Sequence, residues 1–284
     1  MNTPPARSGA SYLTLDLKPS HGEMIKPAET IDIVGIEGLT LQDQRVWNAL
    51  LDNAHGPDMR EVDRDFTMDL NPLRSNHNSN ERVEDTIERL MKTIAVCKMP
   101  NGSVTRFQLL GGNNMGDPNR PRGELTYRFD KALIEILSVS STFGKLDLPV
   151  MDAFTSKYAL ALYEHVSRRK NLKHVYMQEY TVEEFREVLR VGKSQLKAFG
   201  NLKQRAIVPA LEEVNQWASF TLRLSYKKTG QRVTALVLQW VPKSGRARKE
   251  IFAELQQPKV GRRARREKMV ETIVTINPQG DLLQ

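Results

Sequence analysis

The side chains of this chain whose type and spacing could do chemistry are cationic. Lys193, Ser194 and Lys197 precede a run in which Phe199, Leu202, Ala206, Ala210, Val214 and Trp217 recur every three or four residues, leaving Lys203, Gln204 and Arg205 on another side. Further on, Lys227 and Lys228 lead into Thr229 and Gly230, and Arg232 follows. Grouped ammonium and guanidinium ions neutralise phosphates, and Arg, Lys and Gln carry the donors that pair with base edges. The residues that bond-breaking chemistry needs are not so grouped. The five histidines, His21, His55, His77, His165 and His174, never fall at metal-ligand spacing, and the single cysteine, Cys97, excludes a zinc site built on cysteine pairs and any internal disulfide. A DNA-nicking enzyme would need a metal-binding histidine cluster and a nucleophilic tyrosine. Tyr158 and Tyr163 instead lie in the apolar register of a helix and read as core, and His165, four residues before Arg169, reads as a surface or DNA-facing residue. No cofactor, ATP or metal is required by any motif.

The elements that must position the cations lie in residues 154–241. A first helix over residues 154–169 places Tyr158, Leu162 and Val166 on one face, with Ser156, Glu164 and Arg168 elsewhere. Thr181 and Glu184 form a capping box for a second helix that buries Phe185, Val188 and Leu189, and Gly192 is placed to end it. The third helix spans residues 199–217, with a kink expected at Pro209, which lacks an amide donor. Phe220, Leu222, Leu224 and Tyr226 alternate as a strand, residues 227–230 turn, and residues 232–240 return. Three helices followed by a hairpin is the winged form of helix-turn-helix, whose later helix enters a major groove while the hairpin flanks it. A plain α+β domain with solvated lysines is the bland alternative. Charge argues against it: residues 154–242 hold 15 basic and 7 acidic residues, a balance of +8 equal to that of the whole chain, which favours a polyanion as partner.

At 284 residues, 39% of them hydrophobic, the chain is long enough for two domains and two cores. It has no apolar run of membrane-spanning length, and residues 1–10 lack the apolar centre of a signal peptide, so a cytoplasmic protein without a membrane partner is expected. Residues 1–30 show no sustained period and read as a disordered arm, with one short strand over residues 11–17. In the first half, residues 31–150, Thr40 caps a helix holding Val46, Trp47, Leu50 and Leu51, residues 66–73 suggest a second helix, and Asn78 or Ser79 caps a third with Val83, Ile87, Leu90 and Ile94 on one side. Cys97, near the end of that apolar helix, is expected to be a buried thiol. Strands over residues 104–110 and 125–129 would form a hairpin around a Gly-rich loop, residues 111–123. That loop lacks the lysine and hydroxyl pair of a nucleotide-binding loop and reads as a wing tip. A further helix follows over residues 130–138, and residues 143–150 read as the interdomain connection. The order again suggests a winged helix. Its 14 basic and 18 acidic residues leave a balance of −4, so it should add DNA contacts through few residues, with Asn80, Arg82, Arg106 and Arg128 as candidates, and otherwise present a protein-binding or dimerisation surface.

Residues 243–284 form a basic tail carrying Arg246, Arg248, Lys249, Lys259, Arg262, Arg263, Arg265, Arg266 and Lys268. Near its end Gln279, Gly280, Asp281, Leu282 and Leu283 resemble the pentapeptide by which bacterial replication proteins dock on the sliding clamp. Four blocks of the second half resemble a known family: residues 156–164, the capped helix with Phe185, the helix ending in Glu212, Glu213, Val214 and Asn215, and the strand pair around residues 227–230. They are similar to the second winged helix of the Rep family of iteron-binding plasmid replication initiators, a likeness that extends by element order to about residue 40. The resemblance implies an α+β protein of two tandem winged-helix domains, to which composition adds a flexible N-terminal arm and the basic C-terminal tail; that tail and the long loop over residues 111–123 depart from the family's pattern. It also implies a base-reading helix at residues 199–217 with Lys203 and Arg205 on its exposed first half, and a wing at Lys227, Lys228 and Arg232. The function implied is binding of directly repeated origin sequences, origin opening, replisome recruitment through a host initiator ATPase and replicative helicase, and autorepression as a dimer. The rival readings are a winged-helix repressor on an inverted repeat, and a relaxase or nickase, which the missing metal cluster disfavours.

Overall fold

Thr40 and Thr181 open two helices by the same device. Each hydroxyl accepts the amide three residues on, from Asp43 or Glu184, whose carboxylate in turn accepts the threonine amide, so two orphan donors are satisfied at each helix start. The computed structural model describes residues 12–74, 83–99, 102–115, 123–170, 172 and 175–257.

The chain runs through one order of elements twice. The first pass is strand β1 (Glu23–Pro27), short helix α1 (Ala28–Ile31), long helix α2 (Leu41–Ala54), strand β2 (Phe66–Asp69), one-turn helix α3 (Asn71–Arg74), helix α4 (Val83–Lys92) and the hairpin β3 (Ile94–Lys98) and β4 (Val104–Gln108). Strands β5 (Gly112–Met115) and β6 (Glu124–Arg128) and helix α5 (Lys131–Ser138) are added to it. The second pass is β7 (Phe143–Asp147), α6 (Leu148–Ala153), α7 (Lys157–Arg169), β8 (Met177–Thr181) and α8 (Val182–Val188). It continues with a helix made of α9 (Phe199–Leu202), a π turn (Lys203–Ile207) and α10 (Val208–Trp217), and ends in the hairpin β9 (Phe220–Thr229) and β10 (Arg232–Pro242). The two first strands, β1 and β7, pair antiparallel with each other, while β8 joins the second hairpin in the order β8-β10-β9 and β2 pairs with β6. Residues 1–243 form one compact unit. Helix α11 (Gly245–Gln256) belongs to a second unit, starts at a Ser244 cap and buries none of its residues.

Of the expected second-half core, Phe185, Leu189, Leu202, Ala206, Ala210, Val214, Trp217 and Leu222 are buried and Val188, Phe199, Leu224 and Tyr226 half-buried; Trp240 is buried as well. In the first half Trp47, Leu50, Leu90, Phe107, Leu125 and Tyr127 fill the centre, with Trp47 and Tyr127 each edge-on to Phe129.

Several expectations are corrected. Residues 12–30 are not structureless: they hold a 3-10 turn at Thr14–Asp16 instead of a strand, then β1 and α1, because Met24, Ile25 and Lys26 are buried where β1 lies against β7. Residues 1–11 lie outside the described residues. Residues 66–73 hold a strand and one helical turn; Phe66 and Met68 are half-buried and Thr67 and Asp69 exposed, the period-two alternation of a sheet edge. Ile94 and Cys97 belong to β3, not to a helix. Helix α4 stops at Lys92, and the strand that follows pairs with β4, so β4 makes its hairpin with β3 while β6 pairs with β2 and β5. Cys97 is buried there and its thiol is pushed up by burial and by Glu29. Residues 143–150 are strand β7 and the start of α6, where Gly144 lets β7 approach α1 and α7: a Cβ there would come 2.9 Å from Ile31 Cδ1 and 3.4 Å from the Arg168 amide nitrogen.

Candidate nucleic-acid interface

The cations of the second half sit on a turn and a helix held from inside by two buried arginines. Helix α8 ends at Val188, and the left-handed position falls on Arg190 with φ 54°, ahead of the Gly192 expected to end it. Arg186, 5% exposed, donates to the carbonyls of Leu196 and Gly192, each at 2.9 Å, and to that of Gln195. Three main-chain acceptors on one guanidinium fix the turn that displays Lys193, Ser194 and Lys197, all exposed. Neither arginine stood out in the sequence; the available signal was a charge beside Phe185 and Leu189 in the buried register of a short helix.

The third helix of the second half is continuous from Phe199 to Trp217, but its distortion precedes Pro209. Residues 203–207 make a π turn in which the Val208 amide bonds the Lys203 carbonyl, and Pro209, lacking an amide, then sits in the first turn of α10, where none is needed. Lys203, Gln204 and Arg205 are exposed on that widened turn. Lys203 Nζ lies 5.2 Å above the Tyr226 ring, whose edge meets Phe199 at 5.7 Å, so helix and wing are joined at the exposed surface. Asn215 clamps the far end, giving and accepting bonds with the Leu222 main chain, and Glu213 accepts from the Thr155 amide at 2.7 Å and hydroxyl at 2.8 Å. The wing turn is narrower than expected: Lys227, Lys228 and Thr229 are strand residues, and Gly230, at φ 61°, makes the bend with Gln231.

The sequence-derived residues divide clearly. Lys193, Ser194, Lys197, Lys203, Gln204 and Arg205 share the turn and the first half of the helix; Lys228 and Arg232 flank the wing tip, exposed. Lys227 is engaged by Glu179 of β8. Arg106 is exposed on β4 of the first hairpin, and Arg128 is paired with Asp65 at 2.9 Å. Asn80, Arg82, the tail cations from Lys259 onward and Gln279, Asp281, Leu282 and Leu283 lie outside the described residues. Asn201, exposed two positions before Lys203, extends the cluster and was not singled out in the sequence.

Two polar residues of α7 depart from expectation. His165 is 7% exposed and faces the interior: Arg169 donates to Nδ1 at 3.1 Å and Nε2 meets the Tyr180 hydroxyl at 2.7 Å. Burial first, then the charges of Arg169 and Arg190, push its pKa well below the usual imidazole value, so it is neutral at pH 7 with its proton on Nε2. Glu164, expected away from the buried face, is fully buried between Lys26 and Arg190. Tyr163 is core, with its hydroxyl at Asp147, while Tyr158 is half-buried. Among the described residues no three His, Cys, Asp or Glu side chains gather as a metal site, and no helix is long and apolar enough to cross a membrane.

Comparison with known proteins agrees with the fold. Residues 27–167 match the family model described as Initiator Replication protein, WH1, and residues 181–240 that described as Initiator Rep protein, WH2. No curated protein sequence matches the chain. Among solved structures, the Pi initiator protein in complex with iteron DNA is similar over 78% of this chain and 98% of that one, with TM-score 0.58 and 14% identity. Domains 2 and 3 of RctB align over 81% and 96%, with TM-score 0.43 and 10% identity. The likeness to the Pi initiator is one of fold, whereas the two family models cover most of residues 12–257 in the order in which the two passes of elements occur. The chain therefore belongs to the Rep family of replication initiator proteins, DNA-binding proteins built from two winged-helix domains in tandem.

Proposed function

We propose that the chain initiates plasmid replication by binding directly repeated origin sequences, iterons, without itself catalysing a reaction. The observation that carries this is the exposed set Lys203, Gln204 and Arg205 on the helix that a winged-helix fold presents to a major groove, with Lys193, Ser194 and Lys197 before it and Lys228 and Arg232 on the wing. Family membership supports the initiator role, and the related Pi initiator was crystallised with iteron DNA. In this reading the helix side chains meet base edges and set sequence choice, while turn and wing cations meet phosphates and set affinity. Lys227 joins them by exchanging Glu179 for a phosphate. Arg106, with Asn80 and Arg82, adds contacts from the first winged helix, residues 31–150, and residues 151–242 do the main reading. Several bound copies bend the origin and open an A·T-rich segment, where deformable steps make distortion cheaper. The monomer initiates and a dimer represses its own gene; a host initiator ATPase, the replicative helicase and, through Gln279, Asp281, Leu282 and Leu283, the sliding clamp are the cytoplasmic partners.

The test is a footprint of the purified protein on DNA flanking its own gene. Several directly repeated protected sites, each about two helical turns long, are expected for two adjacent groove readers. One protected inverted repeat would replace this reading with a repressor. Within a repeat, Arg205→Ala should cost about 1–3 kcal/mol and relax choice at one base, whereas Lys228→Ala should weaken binding to all sequences alike.

A further inference from the structure

One group of charges takes no part in the DNA surface. Lys26 of β1, Gln44 and Asn48 of α2, Glu164 of α7 and Arg190 of the turn before the reading helix are each less than 6% exposed. Lys26 donates to Asn48 Oδ1 at 2.7 Å and to Glu164 Oε1 at 2.8 Å, and Asn48 donates to the same carboxylate oxygen at 2.7 Å. Arg190 donates to Glu164 Oε2 at 2.7 Å and to Gln44 Oε1 at 2.7 Å. One carboxylate thus ties residues of the first pass to the turn of the second.

Stability alone does not explain the cluster. Two cations share one carboxylate away from water, and apolar residues of similar volume are commonly as stabilising as a buried ion pair. The backbone of Arg190 is also held at φ 54°, a conformation that costs a non-glycine residue about 1 kcal/mol or more unless its surroundings impose it. Directional bonds supply what apolar packing does not, a single register between the parts they join. Arg190 anchors one end of the turn to the first pass while Arg186 grips the other end from α8, so the start of the reading helix is referred to β1 and α2. Two groove readers on one duplex need such a fixed relation, because their spacing must match the helical repeat.

We propose that Glu164, held between Lys26 and Arg190, is a positioning centre that locks the DNA-reading helix of the second winged helix to the first, so that both engage one site in register. The proposal rests on residues 199–217 being the DNA reader. Its removal leaves phosphate contacts intact and disorders the alignment on which sequence-specific binding depends.

The experiment uses the full chain, a duplex that the wild-type protein selects from a randomised pool, and a random duplex of equal length. Arg190→Gly relieves the left-handed backbone and leaves Lys26 and Glu164 as a one-to-one pair; Lys26→Met leaves Glu164 and Arg190. Each variant should lose tenfold or more affinity for the selected duplex and stay within twofold of wild type on the random one. In a Cys97→Ala background, spin labels at Val139→Cys in the first half and Ser225→Cys on the wing should give one narrow distance distribution without DNA, and a broad one in either variant. Should Arg190→Gly not fold, Lys26→Met carries the test. A narrow distribution with unchanged preference for the selected duplex overturns the proposal, as do equal losses on both duplexes or the unfolding of both variants, which would mark a stabilising cluster only. If Arg205→Ala leaves the preference intact, the reading-helix assignment is what fails, since the label distances report positioning without DNA.

Discussion

Lys26 carries its charge where water does not reach. Burial, followed by the opposed charges of Glu164, which raises it, and Arg190, which lowers it, brings its pKa down from 10.5 to about 8. Burial would raise Glu164, but Lys26, Arg190 and the hydrogen bonds to Lys26 and Asn48 outweigh it and hold the carboxyl at about 2. The lowered pKa disfavours the charged form of Lys26 and favours that of Glu164 for a simple reason: Glu164 faces two cations, whereas Lys26 faces one anion and one like charge. The sign of the pH effect follows. Between about 8 and 10.5 the unfolded chain still binds the Lys26 proton that the folded chain has released, so stability rises with pH in that window, and the cost of burying the ammonium is complete below it. Denaturant midpoints of wild type and Lys26→Met, taken from pH 7 to 10.5, should therefore diverge in favour of wild type as pH climbs. A constant difference would mean that Lys26 titrates as it does in water. Glu164 acts in the opposite range: its contribution is complete above about 4.5 and is lost as pH falls towards 2.

Helix α7 packs against β7, α1 and α10, and at Gly144 the approach of β7 leaves no room for a side chain. Gly144→Ala should cost about 1–3 kcal/mol, the range for overpacking a closed core, and lower the thermal midpoint by several degrees; an unchanged midpoint would show that Ile31 gives way. How far each element was legible follows from the period of its apolar residues. The helix over residues 199–217, the Thr181 box and the second hairpin are long or locally signed, and they lie close to where the sequence puts them, β9 running three residues further into the expected turn. In the first half, Ile94 continues the helical spacing of Val83, Ile87 and Leu90 by chance of position, and β2, β3 and β5 are only four or five residues long, too short for alternation to outvote a helix period. The π turn left no signal beyond Pro209. The exposed cations of the candidate site were legible because surface charge is local to its helix and hairpin. The positioning cluster was not, because Glu164 meets Lys26 across 138 positions and Arg190 across 26, and an acid in an amphipathic helix ordinarily faces water.

Over the whole chain, positive charge collects towards the C-terminal end. Residues 30–150 carry a balance of −4, residues 154–242 one of +8, and residues 243–284 hold 10 basic and 5 acidic residues. The last group includes α11, which displays Arg246, Arg248 and Lys249 and has no buried residue of its own, whereas residues 1–243 contain both cores. Charge that is not tied to a packed surface adds to DNA affinity by releasing counterions and cannot discriminate one sequence from another. A chain ending at Lys243 should accordingly unfold at nearly the wild-type temperature and bind every duplex more weakly. The slope of log K against log salt should become shallower by about 0.9 for each phosphate that the tail no longer neutralises, with the ratio of selected to random affinity kept. Titrations at salt concentrations from about 50 to 200 mM decide the matter, since a phosphate-binding tail must change the slope. An unchanged slope with weaker binding would place the tail's contribution in the packing of the DNA-bound protein, and an altered ratio would assign α11 a share in reading sequence.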